Sequence, residues 1–140
     1  MTRVLVAFAG RFGSTGELAL TIGGELLQPG QHVDVYECDR APDARHYDVV
    51  IIGSEVHHQH WLKEALGYLR HHAPDLAERP TYLFQIVDTG SHATAVTPSA
   101  VTRLAYEVGV AGPQTFDLAG TRPEEPRGHA PSGWLQRPSW

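Results

Sequence analysis

The sequence predicts an α/β domain of three layers: a doubly wound, five-stranded parallel sheet in the order 2-1-3-4-5, with helices on both faces. Three observations lead there. Apolar runs rich in β-branched and aromatic residues alternate with segments whose apolar residues recur every three to four positions, as strands alternating with helices do. Two of the runs, residues 3–8 (RVLVAF) and 47–54 (YDVVIIGS), carry little polar alternation, so they belong in the middle of the sheet, buried on both faces. Right-handed crossovers between parallel strands then favour the stated order, in which the winding reverses between strands 1 and 3.

The elements follow in turn. Strand 1, residues 3–8, breaks at once into Ala9-Gly10-Arg11-Phe12-Gly13-Ser14-Thr15, a loop of small and hydroxyl residues. A helix is expected over residues 15–28, with Leu18, Ile22 and Leu26 one turn apart facing the sheet and Pro29-Gly30 stopping it. Gly23-Gly24 inside it costs about 1 kcal/mol per glycine and permits close packing on the sheet. Residues 32–38 (HVDVYEC) alternate apolar and polar, which predicts a half-exposed edge strand. Residues 39–46 form an irregular or one-turn connection to strand 3, residues 47–54. Residues 55–60 are expected as a loop, and residues 61–70 as a helix with Leu62, Ala65, Leu66 and Leu69 on its apolar stripe. Strand 4 spans residues 81–87, followed by the loop 88–92. Thr97 and Pro98 read as the N-cap and first residue of a helix running to about Val108. Residues 115–118 make a short fifth strand. Beyond Gly120 the chain turns to prolines, glycines and charges, so residues 1–120 are expected as the domain. Residues 121–140 are expected as a disordered or loosely docked tail. Trp134 and Trp140 in that tail are costly to expose and predict packing onto the body or a partner.

Composition excludes several function classes. The 140 residues suffice for one domain with a proper core. Net charge is −5, with Lys63 the single lysine, which argues against the basic footprint of nucleic-acid binding. One cysteine, Cys38, excludes an intramolecular disulfide framework and cysteine-rich metal sites. It reads as a half-buried hydrophobe. No segment resembles a signal peptide or a membrane span of about 20 apolar residues, so a cytoplasmic protein is predicted.

The first loop carries the chemistry. Strand, small-residue loop and helix N-terminus together form a phosphate cradle. The first N–H groups of a helix lack partners and carry the positive end of its dipole, and glycines bring that backbone close to an anion. The alternative is an ordinary strand-to-helix turn with Thr15 as N-cap. The histidines His57, His58, His60, His71 and His72 have no cysteine or nearby carboxylate motif to complete a tetrahedral set, so no metal is predicted. Ser14 lacks the strained elbow of a nucleophile, which removes hydrolysis. A receiver domain would need an acidic cluster after strand 1 and a lysine after strand 5, and Ala9-Gly10 and the absence of that lysine rule it out. A dinucleotide fold would place glycines as G-x-G-x-x-G, whereas Gly10, Gly13 and Gly16 fall three apart.

The pattern small-x-x-Gly-x-Thr, met by Gly10, Gly13 and Thr15, resembles the flavodoxin family. The chain also looks like the flavodoxin-fold menaquinone-dependent protoporphyrinogen oxidases. The resemblance rests on Arg11 and Phe12 in the first loop, on Gly53-Ser54-Glu55-Val56, and on His57-His58-Gln59-His60 leading to Trp61. It covers residues 3–120 and implies FMN as cofactor and electron transfer as function, with a redox partner protein or a quinone as partner. The phosphate would sit on the backbone of Arg11, Phe12, Gly13, Ser14, Thr15 and Gly16 and the hydroxyls of Ser14 and Thr15, with Gly10 opening the binding loop. The ring would lie between Ser54, Glu55, Val56, His57, His58, Gln59 and His60 on one side and Val87, Asp88, Thr89 and Gly90 on the other. Against the family pattern, Gly10 replaces a hydroxyl residue, Gln59 replaces a glycine, and the usual last helix is missing. That last departure predicts an exposed apolar sheet face and a homodimer, or the tail, covering it. A second function follows from the same departures: a fold of this family without FMN, acting as a binding or assembly module.

Overall fold

The computed structural model describes residues 1–11, 13–88 and 97–117. β1 (Thr2–Ala9) lies in the middle of the sheet because Val4, Leu5, Val6 and Ala7 offer apolar side chains to both faces, and all four are fully buried. It pairs in parallel with β2 (Gln31–Glu37), where Val4 meets Val33, and with β3 (Val49–His57), where Val4 meets Val49. β5 (Thr81–Val87) lies beside β3, and β6 (Gln114–Asp117) beside β5, again in parallel. The parallel strands therefore run β2-β1-β3-β5-β6, the predicted order once the two-residue strand β4 (His60–Trp61), antiparallel to β3, is set aside.

Two cores close the layers. α1 (Gly13–Leu26) buries Leu18, Ala19, Ile22 and Leu26 on Val4, Val6, Val49 and Ile51. On the opposite face, α2 (Lys63–His71), α3 (Ala73–Ala77) and α4 (Ser99–Val108) bury Ala65, Leu69, Leu76, Val101 and Leu104 on Leu5, Ala7, Val50, Ile52 and Leu83. Each large apolar side chain so buried contributes about 1.5–3 kcal/mol.

Several elements differ from the sequence expectation, each for a physical reason. α1 starts two residues before Thr15 and ends at Leu26. Thr15 sits within the first turn and is no N-cap, and Pro29 pushes Gln28 out of the helical region. Residues 44–46 make the expected single turn, a 3-10 turn capped by the Asp43 carboxylate, which accepts a hydrogen bond from the Arg45 N–H. The loop expected at 55–60 is a β-hairpin: β3 runs on through Glu55, Val56 and His57 and returns as β4, so α2 begins only at Lys63. Pro98, not Thr97, occupies the cap position of α4. Gly53 lies inside β3 and not at its end, and Phe84 of β5 is paired with it. The Phe84 ring occupies the space a Cβ at Gly53 would need, so this glycine serves packing.

On the α1 side of the sheet Val6, Ile51, Phe84 and Ile86 are buried. The missing last helix, the tail at 121–140, Trp134 and Trp140 fall outside the described residues.

Candidate functional site

The winding of the sheet reverses at β1, between β2 and β3, and the loops after β1 and β3 emerge side by side at the carboxyl end. Open α/β sheets bind ligands at such a switch point. Ala9 is the last residue of β1 and is paired with Ser54, so the start of the first loop lies next to the hairpin arm of β3.

The first part of the site is the N-terminus of α1. Its first turn holds Gly13, Ser14, Thr15 and Gly16 and no acidic residue, which leaves the positive end of the helix dipole uncompensated by the turn itself. Thr15 is fully buried, and its Oγ1 has no hydrogen-bond partner among the described residues. A buried hydroxyl without a partner costs about 1–3 kcal/mol. Gly10 faces it closely: a Cβ there would stand 2.6 Å from Thr15 Cβ and 2.7 Å from Thr15 Oγ1. Glycine at 10, where the family pattern has a hydroxyl residue, is therefore what lets the Thr15 side chain fold under the loop. Unpaired N–H groups, an orphaned hydroxyl and a side-chain-free backbone suit an anion with several acceptor oxygens, and the residues fit a phosphate group.

The second part is the β3–β4 hairpin. His57 pairs with His60 and Val56 with Trp61. His58 and Gln59 turn the chain with φ of 50° and 66°, the left-handed pair of a type I′ turn, which usually takes Asn-Gly. The His57 and His58 rings meet edge-on, 4.2 Å between centroids. Ser54 holds the base of the hairpin. Its buried hydroxyl donates to the Glu55 carbonyl and accepts from the Leu62 N–H at 3.0 Å. Trp61, expected as a packing anchor at a helix start, is buried in β4 and donates its indole N–H to Gln85 Oε1 at 3.0 Å. Glu55 Oε1 is buried and has no partner among the described residues.

Between loop and hairpin lies a cavity of about 620 Å³, within the usual size range of small-molecule sites. Of the sequence-predicted residues it brings together Gly10, Arg11, His57, His58 and His60. Gly13, Ser14, Thr15 and Gly16 lie in the first turn of α1, Ser54, Glu55 and Val56 along β3, and Gln59 at the hairpin tip. Val87 is buried at the end of β5, with Asp88 exposed just beyond it. Phe12, Thr89 and Gly90 fall outside the described residues.

Besides Phe8, Ala9 and Trp61, the wall holds residues that sequence reading missed: Glu37, Cys38 and Asp39 at the end of β2, and Leu62, Lys63 and Glu64 where α2 begins. The signal was available for the first three, since β2 neighbours β1 and its carboxyl end must open at the same rim. The cavity thus carries carboxylates of Glu37, Asp39 and Glu64 against the cations of Arg11 and Lys63. Burial first, then the charges of Asp39 and Glu64, push the Cys38 thiol up to about 12. It stays a protonated, poorly nucleophilic part of the wall.

Ligand-type side chains close enough to share a cation are found elsewhere among the described residues. Asp43, His72 and Asp75 offer atoms within 4.8 Å of one another, so His72, one of the five histidines expected to lack a nearby carboxylate, has two beside it. Asp43 already accepts the Arg45 N–H and lies 3.5 Å from Arg45 Nε. Burial lowers the His72 pKa despite the nearby Asp43 charge.

Comparison with known proteins agrees with this fold. The sequence model described as a flavodoxin domain matches residues 5–112. Protoporphyrinogen IX dehydrogenase [quinone] of Escherichia coli K12 is 28% identical over 86 residues, which is 60% of this chain and 48% of that protein. The chain therefore spans about half the length of the curated relatives it matches. Among solved structures, two-electron reduced Megasphaera elsdenii flavodoxin superposes with a TM-score of 0.70 at 16% identity, covering 89% of this chain and 92% of that one. Oxidised Flavodoxin 2 of Bacillus cereus gives 0.67 at 23% identity, covering 91% and 90%. At such identities the structural likeness speaks for the fold.

Proposed function

We propose that this chain, which belongs to the flavodoxin domain family, binds FMN at the switch point and works as an electron carrier. The observation that carries the reading is the orphaned Thr15 hydroxyl at an acid-free helix N-terminus. A phosphate oxygen supplies the partner that this buried group lacks, and the Ser14 hydroxyl and first-turn N–H groups add further donors. The hairpin then covers what lies beside the cradle. His57 and His58 offer faces for an aromatic ring, and Trp61 and Leu62 give the cavity an apolar wall. When bound, FMN supplies one- and two-electron chemistry. The carboxylates of Glu37, Asp39 and Glu64 lie along the cavity and disfavour added negative charge there, while Arg11 and Lys63 oppose them. The balance of these five groups sets how readily the site takes electrons.

The partner is a redox protein or a quinone, the latter in keeping with the quinone in the name of the E. coli relative. The test is titration of flavin fluorescence with wild type and with Ser14→Ala and Thr15→Ala. A hydrogen bond to a charged group is worth about 1.5–3 kcal/mol, so each substitution lowers FMN affinity at least tenfold. Affinities equal to wild type in both variants overturn the reading.

A further inference from the structure

The α2 face of the sheet carries a polar row where apolar residues are the rule. Ser54 of β3, Gln85 of β5 and Thr115 of β6 stand directly opposite one another across three neighbouring strands. Gln85 at the centre is 0% exposed. Both ends of its amide are bonded. Oε1 accepts from Trp61 Nε1 at 3.0 Å, and Nε2 donates to Thr115 Oγ1 at 3.0 Å and to Thr97 Oγ1 at 3.3 Å. An indole N–H can only donate, so the amide oxygen must face Trp61 and the amide nitrogen the threonines. The orientation is fixed by chemistry and has one solution. Ser54, next in the row, holds the N–H of Leu62, the residue after Trp61.

The row therefore grips two consecutive residues at the point where the hairpin returns to the sheet. Among the described residues the hairpin tip is otherwise held by its own pairing of His57 with His60; His57, His58 and His60 line the cavity, and the turn at His58 and Gln59 adopts a backbone conformation unfavourable for both. A leucine or methionine at 85 would bury more simply. A buried glutamine with all three bonds made is a device for holding one arrangement.

We propose that Gln85 is a positioning residue: through Trp61 it sets the hairpin of residues 57–60 against the cavity where a flavin ring would lie. The inference rests on the FMN reading for its ligand but not for its geometry. Gln85→Met keeps volume and removes the hydrogen bonds, and Trp61→Phe keeps the aromatic ring and removes one of them. In the flavin-free protein, amide hydrogen exchange at His60 and Leu62, whose N–H groups lie in the hairpin pairing and on Ser54, rises at least tenfold in both variants, while β1 amides stay as in wild type. Riboflavin affinity of the flavin-free protein falls at least tenfold and the midpoint potential of the FMN-loaded protein shifts, while the affinity of the flavin-free protein for inorganic phosphate is unchanged, because the cradle on α1 is untouched. At the hairpin the double variant exchanges like either single one, since both remove the same link. Where Gln85→Met does not fold, Trp61→Phe alone decides. Unchanged exchange at His60 and Leu62 in a folded variant overturns the proposal, as does riboflavin affinity equal to wild type in protein that binds FMN. Wild type that takes up no flavin defeats the FMN reading alone, and the exchange measurement still decides the role of Gln85.

Discussion

Thr15 and Gln85 are both polar and wholly buried, yet they stand in opposite conditions. Gln85 makes hydrogen bonds from both ends of its amide, whereas the Thr15 hydroxyl makes none among the described residues. A folded chain rarely leaves a buried hydroxyl unpaired without a reason, and a bound anion is one such reason. The adjacent Gly10 is legible in the same terms, because any side chain there would collide with Thr15. At the hairpin tip, His58 and Gln59 hold φ of 50° and 66°, a region glycine occupies without penalty. Gln59→Gly should therefore raise the stability of the flavin-free protein by about 1 kcal/mol, measured by denaturant unfolding. A loss of stability would mean that the Gln59 side chain makes a compensating contact.

At the scale of elements, the glycine pair of α1 separates two roles that look identical in sequence. A Cβ at Gly23 would stand 2.8 Å from a methyl of Val35 in β2, while one at Gly24 meets nothing within 4 Å. Gly24→Ala is predicted to stabilise the protein by about 1 kcal/mol, the propensity difference in a helix interior, and Gly23→Ala to destabilise it. Equal effects in thermal unfolding would contradict the close packing of α1 on β2. Sequence periodicity found β1, α1, β2, β5 and α4 because each has one face, or both, committed to a core. It missed the hairpin because its turn holds His58-Gln59 in place of the Asn-Gly that announces such turns. The short α3 went unread because Pro74, at its start, is as much a breaker as a helix opener. Thr97 looked like a cap since its hydroxyl is of the right type, but that hydroxyl accepts a hydrogen bond from Gln85. One polar letter inside an apolar strand was the signal for that network.

For the molecule as a whole, the topology follows from alternation of strands and helices, and the site follows from the topology. The reversal of winding at β1 opens the first loop, the end of β2 and the hairpin onto one cavity. Of that cavity the sequence showed the loop and the hairpin histidines, because small residues and imidazoles are visible as motifs. The acidic wall was legible only in part: Glu37 and Asp39 follow from the carboxyl end of β2 lying beside β1, whereas Glu64 looks like an ordinary surface charge of a helix. The central claim, that FMN belongs in this site, is tested most directly by mixing the purified protein with FMN, desalting it, and recording the visible spectrum and flavin fluorescence of the protein fraction. Retained flavin with quenched fluorescence is expected and, at a free concentration about 100 times Kd, added stability of about 2.7 kcal/mol. Flavin that washes out completely at micromolar protein, with no gain in stability, would contradict it and leave the fold as a binding or assembly module.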